Sequence, residues 1–398
     1  MFSTYLVMAK SAVEYLARGR RLPSWDLKMQ VLCDGIRHSS KQTYTLETTD
    51  QDIPHLNFPT AIQARMRARD ISPSSVPEEL GTYTRYSLSV GEVSIDSERI
   101  RGIGGVTEQP LLQMIAEDEL ERQLEYEVLA TWDHKDKVNN VAEITRQTPI
   151  RENEKILLCL HGGAYTMGSS LSHRSTLIRI CETTRLRAFV VNYRLAPKHP
   201  FPSQLHDALI FHTFLLNQGF RPQDIILVGD SAGGHLSINL TILLRHIETT
   251  LPRALILVSP LVGLDLEGDS LQTNKDFDYL YPYPIESPTS PLRLFYKPGH
   301  KYSEQYKKEM TEDPILSPRN AELAGFPPTL IQSGGKEILV DHICLFYDKL
   351  VSENSDRTQY MVNQIYDDMV HVFHRFFFRP ESKQAFDAIS VFLDNLEP

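Results

Sequence analysis

From Glu154 onward the chain alternates short apolar runs with longer stretches of helical periodicity, and this rhythm restricts the fold more than any other feature. It is the pattern of an α/β fold, a mostly parallel sheet whose strands are joined by crossover helices. Strands are expected over 156–160, 188–192, 225–228, 254–258, 329–332 and 359–366, each bounded by glycine, proline or charged residues. Helices are expected over 174–184, 203–218, 232–248 and 340–352, with 376–396 closing the chain, and 86–95 and 125–132 read as two earlier strands.

Two stretches break the rhythm. Residues 1–68 carry a helical pattern around 25–36 followed by a polar segment, and residues 263–312 are long, aromatic and proline-rich, including Tyr279-Leu280-Tyr281-Pro282-Tyr283-Pro284. An interruption of that length inside a compact domain is more often a lid or binding element than slack. The expected organisation is therefore N-terminal cap helices over 1–68 and a catalytic α/β domain over 69–398, with 263–312 inserted as a second part of the cap. The cap would lie over the carboxyl edge of the sheet, where open α/β sheets bind ligands. No internal repeat or low-complexity tract is present.

The net charge of -10 is spread without single-sign blocks, which argues against nucleic acid as a partner. Cys33, Cys159, Cys181 and Cys344 follow no metal-ligand or redox spacing and read as buried free thiols. The first residues lack a secretory pattern, being broken by Lys10 and Glu14, and no run reaches the roughly 18 apolar residues of a membrane span. A cytoplasmic location without stable membrane insertion is expected, although the N-terminal stretch could lie against a membrane surface. The sequon at Asn239 falls in an expected core helix. Nothing here sets the oligomeric state, and a homodimer is compatible with it.

The chemistry-bearing pattern begins where Ile225-Ile226-Leu227-Val228 runs straight into Gly229-Asp230-Ser231-Ala232-Gly233-Gly234 and a helical pattern follows. This is G-x-S-x-G in the strand-turn-helix setting of a nucleophile elbow. Small flanking residues let the backbone turn sharply, and the helix N-terminus favours a developing anion. Upstream, His161-Gly162-Gly163-Ala164-Tyr165 follows directly on the strand at 156–160. Backbone N–H groups in such a loop can bind the oxyanion formed during ester hydrolysis. The loop Gly162, Gly163 and Ala164, together with Ala232, makes the candidate oxyanion hole, with the N–H groups of Gly163, Ala164 and Ala232 as donors.

A serine hydroxyl needs a base, and the base needs a carboxylate to orient it. In Asp367-Asp368-Met369-Val370-His371-Val372-Phe373, His371 sits just past the last strand, while His374 should already enter the closing helix and face elsewhere. The acid is expected in Ser333-Gly334-Gly335-Lys336-Glu337-Ile338-Leu339-Val340-Asp341. Both carboxylates are candidates. Glu337, in the loop itself, is favoured over Asp341, which falls in the first turn of the next helix with an ordinary stabilising role there.

With these residues assembled, the sequence resembles the hormone-sensitive-lipase-like branch of the α/β-hydrolases. The resemblance spans about 156–373 and rests on His161-Gly162-Gly163, the stretch from Tyr193-Arg194-Leu195-Ala196-Pro197 to Pro202, Gly229 to Gly234, Asp313-Pro314-Ile315-Leu316-Ser317-Pro318, and Asp368 to Phe373. It implies an eight-stranded mostly parallel sheet, a helical cap, and cofactor-free hydrolysis of short to medium acyl esters, with Ser231 as nucleophile, His371 as base and Glu337 as acid. Two departures stand out. Ala164 replaces a third glycine, which narrows the acyl pocket, and Glu337 replaces the usual aspartate. Within the branch the chain is most similar to sterol- and terpenoid-acetate deacetylases of specialised metabolism. The substrate is then a small hydrophobic ester, losing a short acyl group, acetyl above all. The competing readings are an acyltransferase or lactone-forming enzyme on the same triad, and a catalytically silent receptor of this fold, against which the presence of His371 argues.

Overall fold

The computed structural model describes residues 2–44, 81–118, 121–131, 153–264, 266 and 268–396. Eight strands form one sheet: β1 Gly81–Ser89, β2 Gln123–Thr131, β3 Ile156–Leu160, β4 Arg187–Val191, β5 Ile225–Asp230, β6 Ala254–Val258, β7 Thr329–Gly334 and β8 Met361–Tyr366. Their spatial order is β1-β2-β4-β3-β5-β6-β7-β8, with β1 and β2 antiparallel to their neighbours and the rest parallel. Every residue of β3, β6 and β7 is buried. Helices cover both faces, so these strands read as continuous apolar runs without alternation.

The helices are α1 Phe2–Arg18, α2 Leu27–Tyr44, α3 Glu108–Glu117, α4 Ser170–Thr184, α5 Ser203–Asn217, α6 Ala232–His246, α7 Ser270–Thr273, α8 Pro291–Tyr296, α9 Glu304–Glu312, α10 Val340–Glu353 and α11 Pro380–Asp394. One core cluster packs α3, α5, α6 and α10 with inward residues of the sheet such as Leu158, Leu227 and Leu257. A second, on the other face, joins α4 and α11 through Ile178, Cys181, Phe386 and Ile389 to Cys159, Val228 and Ile256. Successive strand residues serve opposite clusters, as the pleat requires.

Three expected boundaries move for identifiable reasons. The helix α4 begins at Ser170, ahead of 174, because Ser169 and Ser172 form a capping box. The closing helix starts at Pro380 instead of 376: a 3-10 turn fills Phe373–Arg375, and proline suits the first helical turn. The expected strand at 86–95 overlaps β1 only over 86–89, since the chain leaves the sheet at a 3-10 turn over Val90–Glu92. The polar stretch Thr82-Tyr83-Thr84-Arg85 pairs instead with 127–130 on this edge, and Tyr83, Thr84 and Arg85 are partly or fully exposed. The strand's polarity hid it.

The 263–312 insertion carries the short helices α7, α8 and α9. The N-terminal helices reach it: Arg37 Nε donates to the Asp278 carbonyl at 2.5 Å, and Arg21 to that of Asp276 at 3.2 Å. A third core cluster packs Leu22, Trp25, Met29 and Cys33 against Met369, Val370 and Phe373, so the segment leading into α2 braces the loop after β8. Trp25 Nε1 adds a hydrogen bond of 2.7 Å to the Asp368 carbonyl. The expected boundary at 68/69 and the polar segment before it lie outside the described residues. Asn239 is buried in α6. Cys33, Cys159 and Cys181 are buried free thiols, whereas Cys344 is only half-buried, on the rim of α10. Among the described residues, no helix is long and apolar enough to cross a membrane.

Candidate active site

The buried strand β5 delivers the chain to Ser231 at the carboxyl edge of the sheet, and α6 begins at the next residue. To make that reversal, Ser231 adopts φ 54, ψ -118, a region that L-residues occupy only under compulsion. The compulsion is visible. Ser231 N–H donates to Val258 O at 2.9 Å, and its own carbonyl accepts from Leu261 N–H at 3.1 Å, which fixes the turn to the end of β6. A Cβ at Gly229 would strike the Gly233 carbonyl, and one at Gly233 would strike the Leu160 carbonyl, which explains why the flanking positions lack side chains.

His371 follows β8 and points Nε2 at Ser231 Oγ across 2.9 Å. Its loop is held by backbone hydrogen bonds to side chains: His371 N–H donates to Asp278 Oδ1 at 3.2 Å, and Val372 N–H to Ser259 Oγ at 3.0 Å. Glu337 Oε2 stands 3.5 Å from His371 Nδ1, long for a hydrogen bond and well within ion-pair reach. Both side chains are almost fully buried. Burial alone would disfavour the imidazolium, yet Glu337, followed by the charges of Asp278 and Asp230, outweighs it and holds the His371 pKa above its ordinary value. The acid loop is laced to the histidine loop by Gly335 N–H to Tyr366 O at 2.9 Å and Lys336 N–H to Met369 O at 2.8 Å.

The third component is the loop after β3. Gly163, Ala164 and Tyr165 all take positive φ (121, 51 and 61), which curls the backbone around its own amides. Among the described residues no acceptor engages the N–H groups of Gly163, Ala164 or Ala232. The curl is held from behind. Tyr165 packs its ring on Phe295 at 3.9 Å and donates its hydroxyl to His235 Nδ1 at 2.6 Å. Burial lowers the His235 pKa to about 4, so the ring is neutral; its Nε2–H donates to Leu316 O at 3.0 Å, which leaves Nδ1 as the acceptor.

The structure thus brings Ser231, His371 and Glu337 into one line, with Gly163, Ala164 and Ala232 beside it. Gly162 does not belong with those donors: its N–H is engaged by Asp230 Oδ1 at 3.0 Å, so it ties the glycine loop to the elbow. Burial opposes ionisation of Asp230, but the charge and hydrogen bond of His173, with Arg375 and the Gly162 N–H, hold its carboxyl well below the usual range. Asp341 does more than stabilise its own helix, because Oδ2 accepts Ser270 N–H at 2.7 Å and so anchors α7 to α10. His374 lies in the turn before α11, buried, with Nε2 on Gln332 Oε1 at 2.8 Å. The Tyr165 ring itself is fully buried in the core.

Sequence reasoning missed Asp278, whose signal was an acid set between two aromatics in Asp276-Phe277-Asp278-Tyr279. It also left Asp230, His173 and His235 without roles. Among the described residues no group of three or more His, Cys, Asp or Glu side chains is placed to hold a metal ion.

A family model described as alpha/beta hydrolase fold matches residues 157–375. An esterase of Acinetobacter venetianus is 33% identical over 248 residues, covering 61% of this chain and 76% of that protein. An acetyl-hydrolase of Streptomyces hygroscopicus is 32% identical over 247 residues, covering 62% and 77%. Among solved structures, an esterase of the bacterial hormone-sensitive lipase family superposes with a TM-score of 0.61 at 25% identity, covering 92% of this chain and 97% of that one.

Proposed function

Because the chain belongs to the α/β-hydrolase fold family, in its hormone-sensitive-lipase-like branch, we infer that Ser231, His371 and Glu337 are the triad of this serine ester hydrolase. The observation that carries the assignment is the 2.9 Å approach of His371 Nε2 to the hydroxyl of a strained, β5-terminal serine. His371 takes the Ser231 proton as Oγ attacks the ester carbonyl, and the N–H groups of Gly163, Ala164 and Ala232 stabilise the resulting oxyanion. The imidazolium, stabilised by Glu337, then protonates the departing alcohol. Water attacks the acyl-serine by the same route, releasing the acid and restoring the hydroxyl.

The finer reading is removal of a short acyl group, acetyl first, from a hydrophobic alcohol such as a sterol or terpenoid. Two observations support the short acyl group: the methyl of Ala164 where the branch carries a glycine, and the 32% identity to an acetyl-hydrolase. The bulky alcohol is favoured by the aromatic insertion, whose Tyr279 ring stands edge-on to His371 with centroids 6.1 Å apart.

Ser231→Ala should reduce turnover of p-nitrophenyl acetate by roughly a million-fold with the fold retained. An organophosphonate should label Ser231 alone. Activity within about tenfold of the parent, only ~1.4 kcal/mol of barrier, would remove Ser231 from the mechanism. Across p-nitrophenyl esters of increasing chain length, acetate and butyrate should be turned over fastest; a preference for decanoate would refute the short-acyl reading while leaving the triad untouched.

A further inference from the structure

Asp278 belongs to the insertion between β6 and β7, outside both loops that carry the acid and the base. Its side chain is fully buried. Oδ2 accepts the N–H of Ile338, the residue after Glu337, at 2.9 Å, while Oδ1 accepts the N–H of His371 at 3.2 Å. One carboxylate therefore spans the backbones of the acid loop and the base loop. The residue is itself held from two sides. Its N–H donates to Asn274 O at 2.9 Å, and its carbonyl accepts Arg37 Nε of α2 at 2.5 Å. Asn274 in turn donates its side-chain amide to the carbonyls of Glu337 at 2.9 Å and Gly335 at 3.2 Å.

Placing a second carboxylate beside Glu337 in a fully buried site is costly, and burial followed by the Glu337 charge pushes the Asp278 carboxyl up to about 6, against the pull of His371. A neutral acceptor could make one of these hydrogen bonds without that cost. An anion at this position has a use only where positive charge forms, and His371 becomes an imidazolium during each half-reaction.

We propose that Asp278 is a positioning residue for ester hydrolysis: by bridging the N–H groups of Ile338 and His371 it sets the Glu337–His371–Ser231 alignment, and its charge favours the imidazolium. The proposal rests on the triad reading above. It also makes the insertion a structural part of the catalytic centre, because the residue ties both loops at once, beside the direct backbone bonds of Gly335 and Lys336 to the histidine loop.

The test compares Asp278→Asn and Asp278→Glu in the full chain with the parent, using p-nitrophenyl acetate. The groups facing His371 are Glu337 from the loop after β7, Asp230 from the elbow, and Asp278 and the edge-on Tyr279 phenol from the insertion; Cys33 and Arg37 of α2 and Tyr279 face Asp278. Removing the Asp278 charge lowers the His371 pKa, so the acid limb of kcat/KM should move to lower pH by about half a unit. At the same time kcat should fall about 10- to 100-fold with KM within about threefold of the parent. Asp278→Glu keeps the charge and should leave the limb in place, with kcat between those of the parent and the Asn variant. A parental kcat and an unmoved limb in Asp278→Asn overturn the proposal, as does a loss confined to melting temperature with the limb unmoved. Where Asp278→Asn does not fold, Asp278→Glu decides: a parental limb with kcat lowered at least about fivefold supports positioning, and a parental kcat overturns it. Organophosphonate labelling separates the two levels, since failure to label Ser231 in the parent defeats the triad reading, whereas labelling with an indifferent Asp278 defeats only this proposal.

Discussion

Ser231 occupies a backbone conformation that costs on the order of 1–3 kcal/mol, and its hydrogen bonds to Val258 and Leu261 keep it there. Strain at a hydroxyl held 2.9 Å from an imidazole is the residue-scale mark of this site. On the triad proposed above, Glu337 acts through His371. Its pKa is raised against burial, first by Glu337 and then by Asp278 and Asp230, so deleting the Glu337 charge lowers it. Glu337→Gln should therefore move the acid limb of kcat/KM to lower pH and reduce kcat by about two to four orders of magnitude. A variant with near-parental kcat and an unmoved limb would assign the acid elsewhere. Ala164 and Glu337 show that departures from the branch's pattern need not disturb the geometry: only an N–H is asked of the first, and the longer side chain of the second still brings Oε2 to 3.5 Å from His371 Nδ1.

At the scale of elements, the site is held by connections between segments that periodicity treats as separate. The Asp341 carboxylate of α10 accepts the Ser270 N–H that opens α7, and Ser270 Oγ donates to Ile338 O at 2.8 Å. Asp341→Asn leaves an amide oxygen that can still accept the Ser270 N–H, so a charge-assisted bond becomes a neutral one at a loss of about 1–2 kcal/mol. Its expected outcome is a melting temperature about 1–2 °C lower, with kcat for p-nitrophenyl acetate within about threefold of the parent at 25 °C. An unchanged melting temperature would mean that the insertion is anchored elsewhere; a crippled kcat would mean that Asp341 serves His371 directly. The elements themselves were legible wherever a run was apolar on both faces, as in β3, β5 and β6. They were less legible at β1, where the exposed edge carries polar residues, and at the start of α4, where the capping serines resemble a loop.

Across the whole molecule, a set of histidines is buried neutral: His161 and His374 with pKa values lowered by burial to about 3, and His206, His212 and His235 to about 4. Between about pH 6.5 and 4 the unfolded chain binds protons that the folded one refuses, so stability is full above the unfolded pKa and is lost as pH falls. Each such histidine contributes up to ~1.4 kcal/mol per pH unit in that window. Urea midpoints should therefore fall steeply from pH 7.5 to pH 5, whereas equal midpoints at the two pH values would mean that these rings are protonated in the fold. By itself the sequence determined the strand-helix alternation, the glycine-flanked serine at a strand end, the glycine loop after β3 and the histidine after the last strand. Each of these is a local requirement of backbone geometry, written in neighbouring residues. Only the tertiary structure decided that Gly162 serves Asp230, that Tyr165 is braced by His235, and that Asp278 joins Ile338 to His371. Those partners lie 60 to 93 residues apart, brought together by sheet order and by burial, and no short-range pattern encodes such a meeting.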